Sequence, residues 1–345
     1  MKAIIHIGMP KVGSTSIQGW LKLNGTAISE QGTLYIRMRP NQSPNRELEY
    51  LSFVKSGTDL RTKKVRNIIR PERAQALPDY VEKFSATLDQ HLETDTYSQY
   101  VASAEQLFRL TETQIAALHQ FLSVRFDSIE YICYLRRPED WILSQYSQSL
   151  RSGSTLTLDA YIDANPSIVD YFPQLKLWSD VCGASTMNVR LLDPEMLVGG
   201  SLLSDFAAQI GSDPLATPPR LNESLSAEHG EYGRLINVAL QEKPELDKGS
   251  RRLRRIIMTE LTALSAGAPK VRLTAALLQK IKEASVAPNE EIRRAFFPNQ
   301  TTLYPEAEHQ PVTDALTKLT PERAVEIGLD LFMNQSNRPA KKPKK

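Results

Sequence analysis

Residues 3–18 read AIIHIGMPKVGSTSIQ, and the rest of the chain is organised around this stretch. Ala3-Ile4-Ile5-His6-Ile7 has the length and β-branched content of a buried strand. Gly8 breaks it, Met9-Pro10-Lys11-Val12-Gly13 makes a turn, and a helix is expected from Ser14-Thr15-Ser16. Glycines between a strand end and a helix start let backbone N–H groups close around an anion, which the helix dipole favours. Lys11 adds a mobile positive charge, and Ser14, Thr15 and Ser16 add hydroxyl donors. The nucleoside-triphosphate loop G-x-x-x-x-G-K-[ST] puts its lysine directly after the second glycine. Here Ser14 follows Gly13, and the lysine stands ahead of that glycine. The stretch reads as a phosphate-binding turn with a displaced lysine.

Working outward, Ile17, Trp20, Leu21 and Leu23 form one helical stripe that stops near Asn24-Gly25. Residues 32–36 and 99–103 read as strands, and 72–92 as a helix. Between them, Met38 to Pro71 is polar and basic, with Arg61, Lys63, Lys64, Arg66 and Arg70 close together and Arg73 just beyond. That run is read as a solvated loop or helix face, with a site for an anionic substrate as the alternative. Thr111-x-x-Gln114 opens a helix as a capping box, and Ile129 to Leu135 is a second long apolar strand. Arg136-Arg137-Pro138-Glu139-Asp140 follows at once, and Pro138 suits the first turn of a helix running to about Leu150. Helices are expected at 156–164 and 170–181 and a strand at 186–192, with Asp193-Pro194 as its stop signal. Beyond it, helical patterns fall near 200–210, 226–241, 252–265, 273–296 and 313–333.

Strands alternating with helices over the first 195 residues imply a mainly parallel sheet with helices on both faces. The expectation is an α/β, P-loop-like three-layer fold with a helical C-terminal part from about residue 200. One domain spanning 1–335 and a disordered basic tail over 336–345 complete it. Of the 345 residues, 41% are hydrophobic and 24% charged, enough apolar surface for a core. A net charge of +2 makes no case for a nucleic-acid partner. No apolar run approaches the ~20 residues of a membrane span. The first apolar segment feeds the glycine turn rather than a cleavage site, and Cys133 and Cys182 have no metal-ligand spacing, so a cytoplasmic location is expected.

Arg136 sits at a strand's carboxyl end, where ligands of open α/β sheets bind, and Ser144 lies on the second turn of the following helix. Arginine offers a bidentate fork and serine a hydroxyl donor, so the pair suits a second phosphate. Taken together, the two junctions resemble the sulfotransferases that use 3′-phosphoadenosine 5′-phosphosulfate (PAPS). That family carries a P-K-x-G-[ST]-[ST] turn and an R-x-P…S element, matched by Pro10-Lys11-Val12-Gly13-Ser14-Thr15 and by Arg136-Arg137-Pro138 with Ser144. HIGMPKVGSTSIQ and YLRRPEDW are most similar to its bacterial, carbohydrate-type branch. The resemblance covers residues 3–20 and 98–152, with a weaker echo in Arg220-Leu221-Asn222-Glu223-Ser224.

The resemblance assigns Pro10, Lys11, Gly13, Ser14, Thr15 and Ser16 to the 5′-phosphosulfate, and Arg136 with Ser144 to the 3′-phosphate. It implies PAPS as co-substrate, no metal, and a base for an acceptor hydroxyl on a carbohydrate, a glycolipid or a small molecule. Glu105, in Ser103-Ala104-Glu105, is the first choice for that base; His6 is the second, with a core role as its alternative. Two rival functions remain, a P-loop small-molecule kinase and a non-catalytic nucleotide-binding or interaction module. Trp141, Tyr146 and Trp178 suit sugar stacking or core packing, and Arg251-Arg252-Leu253-Arg254-Arg255 a solvated helix face or a polyanion contact. The Lys341–Lys345 tail suits solubility or a weak contact with an acidic membrane surface.

Overall fold

The computed structural model describes residues 1–38, 46–62, 75–94, 96–213, 215–218, 224–243, 247–306, 311–313 and 319–336. Lys63, Lys64, Arg66, Arg70 and Arg73 of the basic run, Arg220 to Glu223 of the weaker echo, and the tail from Asn337 lie outside them. The chain divides into two compact units. The first comprises Met1–Arg137, Tyr171–Pro219 and Glu291–Pro305; the second comprises Pro138–Asp170, Arg220–Glu290 and Glu306–Lys345.

The first unit is built on a parallel five-stranded sheet in the order β2-β3-β1-β4-β5. Its strands are β1 (Lys2–His6), β2 (Thr33–Leu34), β3 (Gln99–Ser103), β4 (Ser128–Leu135) and β5 (Met187–Leu191). β1 lies in the middle, with His6 paired to Ser103 on one side and Ile132 on the other. Ala3, Ile4, Ile5 and Ile7 are fully or almost fully buried, as expected of a parallel strand covered on both faces. β2 pairs over Thr33 and Leu34 only, shorter than the 32–36 run suggests, which limits the exposed edge of the sheet.

The connections explain the layers. From β1 the chain steps outward past β3 to β2, carrying α1 (Ser14–Leu23) and α2 (Gly25–Glu30). Every later step runs the opposite way across the sheet. Those steps carry α3 (Arg46–Lys55), α4 (Leu77–Leu92) and α5 (Glu112–Ser123). The step to β5 passes through α6 (Pro138–Ser152) and α7 (Leu158–Asp163) of the second unit and returns along α8 (Phe172–Cys182). Right-handed crossovers then require α1 and α2 on one face and α3, α4, α5 and α8 on the other. The packing agrees: α3 touches α4 and α5, α5 touches α8, and α1 packs against α9 (Leu202–Gln209).

Local signals place most of these elements. Thr111 and Gln114 form the expected capping box at the start of α5. Helix α3 takes the helix alternative of the 38–71 reading, but one face of it is buried rather than solvated. Leu48, Leu51 and Phe53 supply its buried face, but Glu47 and Glu49 are buried beside them and mask the apolar period. Arg46 donates to Glu49 at 2.8 Å, and the Tyr80 hydroxyl donates to Glu47 at 2.8 Å.

The second unit is helical, with α6, α7, α10 (Ala227–Gln241), α11 (Asp247–Leu264), most of α12 (Ala275–Phe296) and α13 (Pro321–Ser336). Tyr146, Leu150, Leu158, Leu261, Ile281 and Ile327 anchor its core. Asn237 is buried and donates to the carbonyls of Leu150 and Ser154, which ties α10 to the end of α6. Arg254 returns a hydrogen bond to Asn237, so this member of the 251–255 cluster turns inward while Arg251, Arg252 and Arg255 are exposed.

One buried charge carries much of the first unit's β4–β5 edge. Asp205 on α9 is fully buried and accepts hydrogen bonds from the Tyr134 hydroxyl (2.7 Å), the Arg190 guanidinium and the Val198 N–H (2.9 Å). Removing one partner of such a group strands the other, typically at a cost of 3–5 kcal/mol. Asp205→Ala is therefore expected to lower unfolding stability in urea by about 3–5 kcal/mol. Tyr134→Phe, which leaves the charge pair intact, is expected to cost about 1 kcal/mol.

Candidate functional site

The glycine turn follows β1 in the middle of the sheet, where the strand order reverses. In open α/β sheets this is where a crevice forms and ligands bind. The Ile7 N–H still donates to the Ile132 carbonyl (3.0 Å), after which the chain passes through three left-handed residues. They are Gly8 (φ 58°), Lys11 (φ 69°) and Gly13 (φ 92°). Lys11 is the one non-glycine residue with positive φ among the described residues, a conformation costing about 1–3 kcal/mol and typical of functional turns. Gly13 is the N-cap of α1 and brings no side chain to the Ser14 and Thr15 N–H groups, while the Ser16 N–H donates to the Gly13 carbonyl at 2.8 Å. Left-handed residues alternating with others, followed by uncapped amides, make a concave surface for an anion. Ser14 is buried, Pro10 and Lys11 are half-buried, and Thr15 and Ser16 are exposed.

Glu105 is brought directly to this turn. The Ala104 N–H donates to the His6 carbonyl (3.0 Å), extending the β1–β3 pairing by one rung. A 3-10 turn over Glu105–Arg109 follows, and the Phe108 N–H returns to the Ile7 carbonyl (3.0 Å). Glu105 is thereby pinned beside Gly8. A Cβ built on Gly8 would lie 2.6 Å from the Glu105 Cα and 3.1 Å from the Ser14 Oγ. Glycine is required there by close approach as well as by φ. A Cβ on Gly13 would clash with the Leu202 side chain at the start of α9. Glu105 is half-buried and makes no ion pair among the described residues.

His6 has a different setting. It is fully buried, its Nδ1 lies 2.8 Å from the Ser103 Oγ, and its ring meets those of Tyr134 and Phe206 edge-on. Burial alone lowers its pKa to about 3, so the ring is neutral at physiological pH. It ties the ends of β1 and β3 together through Ser103.

The two adjacent arginines divide the work. Arg137 is buried and donates through Nε (3.0 Å) and Nη2 (2.6 Å) to Asp193, with its guanidinium 5.2 Å from the Tyr304 ring centroid. Arg136 is half-buried and forms no ion pair among the described residues. β4 runs three residues beyond the rung at Ile132, so Arg136 follows the same carboxyl edge that carries the glycine turn. Asp193 was legible only as a stop signal, since a partner for Arg137 at such separation leaves no local trace. Ser144 is half-buried on α6 in the second unit. Trp141, Tyr146 and Trp178 are all buried, which assigns them to core packing. Cys133 and Cys182 are buried free thiols. Among the described residues, no three His, Cys, Asp or Glu side chains come together to hold a metal.

Fold and turn define a parallel α/β protein with helices flanking a five-stranded sheet and an anion-suited turn at its centre. No protein-family model matches the chain, and no solved structure matches it. An uncharacterized protein of Archaeoglobus fulgidus is similar, 25% identical over 230 residues. The match covers 66% of this chain and 62% of the relative, so the chain spans less than two thirds of that protein's length.

Two measurements check this geometry. Gly8→Ala is expected to cost at least about 1 kcal/mol in stability from its φ alone, and more as Glu105 is displaced. For His6, the unfolded chain takes up a proton near pH 6.5 and the folded chain only near pH 3. Its contribution to stability is therefore complete above pH 6.5 and lost progressively below it. Between pH 7 and pH 5 the loss is about 2 kcal/mol, and urea titrations of His6→Gln should lack that component.

Proposed function

We propose that this protein is a PAPS-dependent sulfotransferase acting on a hydroxyl, or secondarily an amine, of a carbohydrate or glycolipid acceptor. The observation that carries this reading is the strained, left-handed Lys11 in an uncapped turn against which Glu105 is held. A lysine kept in a costly conformation is one whose charge is needed at that place. PAPS supplies the sulfuryl group and, once the group has moved, a phosphate leaving group. Lys11 and the amides beginning at Gly13 stabilise the charge developing on the leaving oxygen, by preorganised electrostatics rather than covalent help. Pro10 shapes the turn, Ser14, Thr15 and Ser16 add hydroxyls, and Ser14 and Thr15 add amide donors.

Glu105, at the strand end beside the turn, takes the proton that the acceptor hydroxyl loses as its oxygen attacks sulfur. Arg136 holds the 3′-phosphate, a role supported by its lack of an ion pair among the described residues while Arg137 is committed to Asp193. Ser144 joins Arg136 on the sequence motif alone. His6, neutral and buried, positions the strand ends and does not serve as the base. A cytoplasmic setting accords with the two free thiols.

Adenosine 3′,5′-bisphosphate is expected to raise the melting temperature and ATP with magnesium to leave it unchanged; the reverse would replace this reading with a kinase. In transfer assays Lys11→Ala should lower kcat by about 10²–10³. Arg136→Ala should mainly raise the Kd for the bisphosphate. Lys11→Gly should be more stable than the parent by about 0.5–1 kcal/mol, because glycine accepts the left-handed conformation, and equally inactive.

A further inference from the structure

The second unit holds a cleft of about 190 Å3, lined by residues of α6, of α7, of the turn that follows α7, and of α12. Its walls are aliphatic. Ile142, Ile162, Val169 and Ile281 belong to the unit's core, and Ile168 packs against it. Local stop signals shape the turn. Helix α7 ends at Asp163, Pro166 cannot extend it, and the Asn165 side-chain amide donates back to the Tyr161 carbonyl at 2.7 Å. The Ile168 N–H then donates to the Asn165 carbonyl (3.0 Å), which closes the turn. On α12 the lining residue one turn after Lys280 is Ala284, whose methyl group leaves the space open.

Such a space suits an apolar guest better than water. An enclosed water needs several polar partners, whereas an apolar cavity of roughly 150 Å3 stays dry and takes benzene. The polar side chains of the lining are Asp163, Asn165 and Lys280. Asn165 is committed through its amide nitrogen to Tyr161, while Asp163 and Lys280 are exposed and form an ion pair with each other. The cleft is therefore aliphatic within and carries a strong donor and a strong acceptor at its exposed edge. A carboxylate head would be repelled by Asp163, and an ammonium head by Lys280. A hydroxyl meets both, accepting from the Lys280 ammonium and donating to the Asp163 carboxylate.

We propose that this cleft binds a small amphipathic alcohol, an aliphatic chain of about six carbons or a single ring, ending in a neutral hydroxyl. The hydrocarbon lies among the isoleucines, and the hydroxyl sits between Lys280 and Asp163. The site belongs wholly to the second unit, so it goes beyond the sulfotransferase reading and does not depend on it.

The test is a titration of the full chain with n-hexanol, hexanoate and hexylammonium, read by the isoleucine methyl signals in NMR spectra. Hexanol should shift the Ile162, Ile168 and Ile281 methyls saturably, with a Kd of about 1 mM or below from the burial of its chain. The two ions should bind at least about fivefold more weakly. Lys280→Met should move the preference toward hexylammonium, and Asp163→Asn toward hexanoate. Both should keep the parent melting temperature, since an exposed ion pair contributes little. Ala284→Phe, a change at an exposed helix position, should fill the cleft and weaken hexanol binding about tenfold or more. No saturable shift of these methyls with hexanol would overturn the proposal. Equally tight binding of hexanoate or hexylammonium to the parent protein would overturn it too, as would an unchanged preference in both head-group variants.

Discussion

The approach of two backbones at Gly8 is the constraint on which the candidate site depends. The 3-10 turn after β3 is stapled to β1 by the Ala104 and Phe108 amides, and the room left between the two segments admits no Cβ. That closeness sets Glu105 against the turn carrying Lys11 and Gly13. It follows from the parallel pairing of β1 with β3, because parallel strands end at the same edge and deliver their loops side by side. The sheet thus shapes the candidate site twice over, by placing the turn at the reversal of strand order and by bringing the Glu105 backbone beside it.

Burial then sorts the charged groups. Arg137 and Asp193 neutralise each other out of water, and Asp205 is surrounded by Arg190, Tyr134 and the Val198 amide. Such pairs hold the edge of the sheet, since either partner alone would be costly. Arg136 and Glu105 are left half-buried, with no ion pair among the described residues. His6 is the counter-case, a titratable group that burial keeps neutral and that serves by its hydrogen bond to Ser103. The second unit uses its polar groups differently, with Asn237 and Arg254 tying its helices together.

Much of this was legible in the chain itself. The strand–turn–helix at 3–18, the strand at 99–103, the capping box at Thr111 and the helix begun at Pro138 all rest on signals within a few residues, and all are present. Alternation of strands and helices was enough for a parallel α/β sheet. The buried face of helix α3 escaped because buried Glu47 and Glu49 break its apolar period, their partners being Tyr80 on another helix and Arg46.

Local pattern could not choose among like residues. Arg136 and Arg137 are neighbours of the same type, and the pairing of Arg137 with Asp193 depends on a contact across 56 positions. Nor does the apolar run around His6 say whether the ring meets solvent; that follows from Tyr134, Phe206 and Ser103, brought in by other strands and helices. Residue period and turn chemistry are properties of a short stretch, so the sequence alone dictates the elements, the parallel sheet and the unusual turn. Burial and partner choice are properties of the assembled chain. Folding was therefore needed to set Glu105 beside Gly8 and to commit Arg137 rather than Arg136 to an ion pair with Asp193.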